Sequence, residues 1–167
     1  RDGKVVDTFS QLVYIDFPMP QAALNVNNIT DEMLADAPHA TEAMKSFIEF
    51  IGEGAVLVGH NIKRYDLPIM KRVATACRLD FDYAEAIDTY QLAQLAWPHL
   101  ERWSMQVLRE FLNIKNDDAH RALADCEDEM SVYDAIRDGV KSGELSREPT
   151  RCRLQQELGQ QGKGQGH

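Results

Sequence analysis

Two short apolar runs and the segment between them set the frame for this chain. Val56-Leu57-Val58 reads as a buried strand, and residues 84–88, ending in Ile87-Asp88, read as another. Between them, from Asp66 to Cys77, Leu67, Met70, Val73, Ala74 and Cys77 recur at helical spacing. Strands that alternate with amphipathic helices bury their apolar faces against those helices, so the pattern predicts an α/β domain.

The flanking sequence extends the alternation. Residues 5–15 are rich in β-branched and aromatic side chains and predict a further strand, after a hairpin turn at Asp2-Gly3-Lys4 and before Pro18 and Pro20. Thr30, followed by Asp31 and Glu32, is the expected N-cap of a short helix. Met44, Phe47, Ile48 and Ile51 predict a helix over 41–52, closed by Gly52 and Gly54. Asp88-Thr89 is placed to cap a helix that runs to Trp97 and stops at Pro98. Two more helices are expected over 103–112 and 119–138. Residues 1–142 are thus expected to form one domain. Residues 143–167, polar and rich in Gln and Gly towards the end, predict a disordered tail.

Composition excludes several classes. A chain of 167 residues is sufficient for one domain with a core. No apolar run approaches the ~20 residues that span a bilayer, so no membrane role is expected. Three cysteines, Cys77, Cys126 and Cys152, show no paired spacing and argue against a disulfide scaffold, which makes a reduced, cytoplasmic setting the default. The net charge of −9 argues against a surface that coats duplex nucleic acid, but not against an enzyme that grips a strand end through metal ions.

Two clusters carry candidate chemistry. The first, Gly59-His60-Asn61-Ile62-Lys63-Arg64-Tyr65-Asp66, follows a strand and opens a helix. Asp66 falls in the first helical turn at the C-terminal edge of the sheet, where α/β proteins place ligands. Its ordinary reading is an acidic residue favoured by the helix dipole, and that of Asn61 is a turn residue. Lys63 and Arg64 are candidates for phosphate contact, with Lys71 and Arg72 better read as a solvated face. Trp97 and Trp103 suit base stacking in principle, and packing is the simpler reading of both. The second cluster runs from Asp117 to Asp125. His120, taken alone, is most simply a helix-start residue. Asp125 stands beside Ala122, Leu123 and Ala124, so its carboxylate requires water, a partner or a metal.

The two clusters together resemble the second and third motifs of the DEDD exonucleases: Asn61-x-x-x-Tyr65-Asp66 and His120-x-x-x-x-Asp125. Further pieces follow in the order of that family: Phe9 to Val13, Asn28 to Leu34, Val58-Gly59-His60-Asn61 and Ile87-Asp88-Thr89, so that the resemblance covers about residues 3–138. A histidine five residues before the last Asp marks the DEDDh branch, which includes the proofreading subunit of bacterial DNA polymerase III. The resemblance implies an RNase H-like α/β fold, a mixed sheet flanked by helices. It also implies hydrolysis of the terminal phosphodiester with two Mg²⁺ or Mn²⁺ ions roughly 3.5–4 Å apart. Asp66 and Asp125 are then metal-site carboxylates, and His120 is the general base. Asn61, His60, Lys63 and Arg64 serve the substrate, a nucleic-acid 3′ end, with single-stranded DNA favoured.

The family's first motif, an Asp-x-Glu on the first strand, is not found. Asp16, in Tyr14-Ile15-Asp16, lacks the Glu and reads as a solvated loop residue. The sequence begins at Arg1, not Met. It is expected to be a domain cut short at its N-terminus, without its first two strands, and for that reason inactive as it stands. Residues 5–15 then lack a neighbour to pair with. An RNA-directed exonuclease of the same branch and an inactive nuclease-fold module that binds a polymerase subunit are the alternatives.

Overall fold

In a computed structural model of the chain, residues 4–115 and 122–145 are described. The expected turn at Asp2-Gly3, the stretch from Asp117 to Arg121 that holds His120, and the Gln- and Gly-rich sequence beyond residue 145 lie outside them.

Three helices lead into the sheet. Helix α1 (Gln21–Asn27) was not anticipated: Pro18 and Pro20 read only as the end of a strand, whereas Pro20 stands at the helix N-cap and the carbonyl of Pro20 accepts the N–H groups of Ala23 and Leu24. A proline just ahead of a helix costs no intrahelical hydrogen bond, because that position has no partner carbonyl. Helix α2 (Asp31–Leu34) starts at Thr30, whose hydroxyl accepts the Met33 N–H as expected. Helix α3 (Ala40–Ile51) ends at Gly52, whose φ of 67° suits glycine.

Strands β1 (Val56–Gly59) and β2 (Glu85–Asp88) pair in parallel, with Gly59 opposite Asp88 at their C-terminal ends. Parallel strands require a crossover, and helix α4 (Asp66–Ala76) supplies it. Helix α5 (Thr89–Ala96) follows β2 directly, with Asp88 as its N-cap. Helix α6 (Met105–Leu112) is capped by the Ser104 hydroxyl. Helix α7 (Ala122–Ser142) is longer at its C-terminal end than periodicity suggested.

The core lies among α5, α6 and α7, where Ala93, Trp97, Leu108, Val132 and Ile136 are buried together. Helix α7 also packs on β1, while α3 packs on α4. A buried carboxylate, Asp128, ties α7 to α6 through Arg109 at 3.2 Å. Trp97 is part of this core, and Trp103 donates its indole N–H to the Trp97 carbonyl at 3.0 Å, so both tryptophans pack rather than stand open for stacking. Among the described residues no helix is long and apolar enough to cross a membrane.

The strand expected over 5–15 does not form. These residues make no ladder, and Tyr14 donates its N–H to Pro38 instead. β-propensity marks a chain that fits a half-buried pleated surface, and without an adjacent strand that preference has nothing to act on. Side chains hold the segment: Phe9 meets Phe47 and Phe50, and Tyr14 meets His39. Val5 and Val6 are left 56% and 74% exposed.

Candidate active site

The site grows from the C-terminal ends of β1 and β2. At Gly59 the chain leaves the sheet so tightly that a Cβ would stand 3.0 Å from the Ile62 side chain, which is itself buried. Asn61 takes a left-handed conformation, φ 59°, which asparagine tolerates better than most residues. Its carbonyl accepts the N–H groups of Arg64 and Tyr65, and Ile62 accepts that of Leu67. This wound loop delivers Asp66 as the first residue of α4, exposed and at the positive end of the helix dipole.

One carboxylate organises the loop from outside. Asp88 is only 5% exposed, and its Oδ1 accepts the N–H of Asn61 and of Tyr90, each at 3.0 Å. Its Oδ2 accepts the N–H of Lys63 at 3.4 Å. Beside it, the Nδ1 of His60 lies 3.1 Å from the hydroxyl of fully buried Thr89, and the His60 ring meets Tyr90 edge-on. Burial holds the His60 pKa below the usual imidazole value, with the Trp103 carbonyl and Asp88 opposing. His60 turns its ring towards α5, with Nδ1 on the Thr89 hydroxyl and Nε2 buried.

Asp125 enters from the first described turn of α7, half-buried. Four residues on, about one helical turn, stands Glu129. Burial pushes the Glu129 carboxyl up to about 7, the carboxylates of Asp66, Asp125 and Asp88 push the same way, and the His60 backbone amide pulls it down. The thiol of Cys126, an exposed residue, is likewise pushed up, by partial desolvation and then by Glu129, Asp125, Asp66 and Glu127. Asp66 and Asp125, distant in sequence, thus act on the same two groups. Lys63 and Arg64 are exposed beside Asp66, with the Arg64 guanidinium over the Tyr65 ring at 5.3 Å. Lys71 reaches over Tyr83.

Sequence reasoning passed over two residues here. Glu129 was not singled out, and Asp88 was read as the end of a strand, a helix cap and a piece of the family resemblance, without a role at the site. The position of Asp88 at the end of a strand was the available sign of a second role. The donor chemistry suits a hard divalent cation, since oxygen ligands and concentrated negative charge are what such ions select. Among the described residues, no three His, Cys, Asp or Glu side chains are grouped so as to hold a metal ion.

Comparison with known proteins shows the family of the chain. The sequence model described as Exonuclease, RNase T, matches residues 1–133. The 3′-5′ exonuclease DinG of Staphylococcus epidermidis is 30% identical over 122 residues, which are 73% of this chain and 13% of that protein. The DNA polymerase III subunit epsilon of Treponema pallidum is 30% identical over 131 residues, 77% of this chain and 60% of that protein. The chain thus spans less than two thirds of the length of either relative. A solved structure of Exonuclease X in complex with 5′ overhanging duplex DNA superposes with a TM-score of 0.61 at 28% identity, over 90% of this chain and 85% of that one. With the RNase H-like fold shared and the family model spanning the Asn61–Asp66 segment and α7 as far as residue 133, the chain belongs to the exonuclease family.

Proposed function

We propose that this chain is the catalytic portion of a metal-dependent 3′–5′ exonuclease that removes nucleoside monophosphates from DNA ends, in the manner of a polymerase proofreading subunit. The observation that carries the reading is the exonuclease family match over residues 1–133, which takes in Asp66 at the start of α4 and Asp125 in α7; both carboxylates also push the Glu129 pKa the same way. Both would hold Mg²⁺ or Mn²⁺. When bound, the ions would neutralise phosphate charge and lower the pKa of water.

The chain's own residues supply the rest. His120, outside the described residues, would take the proton from the attacking water, since an imidazole titrating near 6.5 is a competent base at neutral pH. Lys63 and Arg64, exposed beside Asp66, suit the phosphates of the entering strand. Asn61 would help to shape the site or hold the substrate. His60 contributes chiefly through its packing on α5. The epsilon and PolC relatives are DNA polymerase III components, and a neighbouring structure carries DNA. These favour DNA over RNA, a polymerase subunit as partner, and a cytoplasmic setting.

A second reading, an inactive nuclease-fold module that binds a polymerase, draws on the lack of a three-residue ligand group among the described residues. Only two of the carboxylates that the family resemblance implies stand in these 167 residues. Hydrolysis by them alone is expected to be weak, and fusion to a strand bearing Asp-x-Glu is expected to raise it. The test uses 5′-labelled single-stranded DNA and RNA of matched sequence with Mn²⁺. Stepwise shortening of the DNA from its 3′ end, stronger with the Asp-x-Glu strand supplied, supports the enzyme. No shortening in either form refutes it and leaves the binding module.

A further inference from the structure

We infer that Asp88 is a positioning residue for this site: one buried carboxylate clasps the loop that carries Asp66 while capping a different helix. The inference rests on the proposed metal-dependent reading and deepens it.

The argument is geometric. Helix α4 begins without help of its own, since Tyr65, at its N-cap, makes no side-chain capping hydrogen bond. The direction of Asp66 is therefore inherited from the loop over residues 60–65. That loop contains a left-handed Asn61, a conformation that asparagine tolerates and that a hydrogen bond to its N–H can hold in one place. What holds it lies on the neighbouring strand. The pairing of Gly59 with Asp88 puts the Asp88 side chain beside the point where the loop departs. From there Oδ1 takes the Asn61 N–H and Oδ2 takes the Lys63 N–H, while Oδ1 also takes the Tyr90 N–H at the start of α5. Thr89 adds a bond to His60, one residue earlier in the loop. Hydrogen bonds from N–H groups to a buried carboxylate are the strong kind. With three N–H donors on its oxygens and 5% exposure, Asp88 is ill placed to bind an ion itself. Its effect passes through Asn61 and Asp66.

Capping and clasping are separable. Asp88→Ser keeps a good N-cap for α5 but is too short to reach Asn61 and Lys63. Asp88→Asn keeps one acceptor oxygen for Asn61 and Tyr90 and presents a donor to the Lys63 N–H. Uniformly ¹⁵N-labelled protein, the full 167-residue chain, is followed by amide hydrogen exchange and by paramagnetic broadening with Mn²⁺ alone. In Asp88→Ser the Asn61 and Lys63 amides should exchange about tenfold faster or more, the loss of a charge-assisted hydrogen bond. The Tyr90 amide should keep its protection. The Mn²⁺ concentration that broadens Asp66 and Asp125 should rise several-fold, and Asp88→Asn should fall between. If Asp88→Ser lowers stability but leaves Asn61 and Lys63 exchange unchanged, Asp88 is a helix cap only and the inference fails. It also fails if the loop amides open and Asp66 still responds to Mn²⁺ as in the wild type. No Mn²⁺ response at Asp66 or Asp125 in the wild type refutes the metal reading and the part of the inference that depends on it. The amide arm still decides whether the clasp exists.

Discussion

Replacing Glu129 by glutamine should flatten the pH dependence of stability. In the folded chain burial, together with the Asp66, Asp125 and Asp88 carboxylates, pushes the Glu129 carboxyl up to about 7 from an ordinary 4.5. A carboxyl whose pKa is raised on folding keeps its proton where the unfolded chain has released it. Its contribution to stability is complete below about 4.5 and is lost as pH rises through about 7. One pKa unit corresponds to about 1.4 kcal/mol, and the part of the side chain open to water screens the interaction, so about 1–2 kcal/mol of the full linkage should survive. Glutamine has the same shape and no charge to lose. Urea denaturation at pH 5 and pH 8, at low salt with a chelator present, compares the two proteins. The wild type should lose about 1–2 kcal/mol more than Glu129→Gln across that interval, because other titrating groups are common to both and cancel. Parallel pH profiles would refute this reasoning, since they would show that neither burial nor the nearby carboxylates raise the Glu129 pKa on folding.

Asp128→Ala should cost about 2–4 kcal/mol in the same assay, because it removes one partner of a buried ion pair and leaves Arg109 without that carboxylate. Gly59→Ala should destabilise by about 1–2 kcal/mol, since the added methyl meets Ile62 at 3.0 Å, and pairing it with Ile62→Val should recover part of the loss. In a form of the chain that carries activity, His120→Ala should reduce kcat by about 10²–10⁴ with little change in KM, as expected of a base that acts in the transition state. Asp125→Ala in the same assay should raise the Mn²⁺ requirement and lower the rate together.

Much of the central fold was legible in the sequence because its signals are local. The hydroxyl of Thr30, the Asp88-Thr89 start of α5 and the apolar spacing of α4 each act within a few residues of where they are read. The run over 5–15 failed as a strand because strand formation needs a neighbouring strand, and propensity cannot report one. Helix α1 was hidden by reading Pro20 as a terminator when it begins a helix. At the site, Asp66 and Asp125 were visible through the spacing of a family motif. Asp88 and Glu129 depend on contacts between elements far apart in the chain. The Asp128–Arg109 pair was hidden for the same reason, since α6 and α7 had to be docked before it existed.

Helix α7 gives the molecule a lever. The residues that fix it in the core, Val132 and Ile136, lie on the same continuous helix as Asp125 and Glu129. From Ile136 to Asp125 is about 16 Å at 1.5 Å per residue, so a tilt of ~5° about the core end would sweep Asp125 through ~1.4 Å. Misplacement of about 1 Å is enough to slow an enzymatic reaction a hundredfold. A cavity opened beneath Ile136 would therefore act as a detuning of the carboxylates at the far end, and their placement would depend on how firmly α5 and α6 hold the fulcrum.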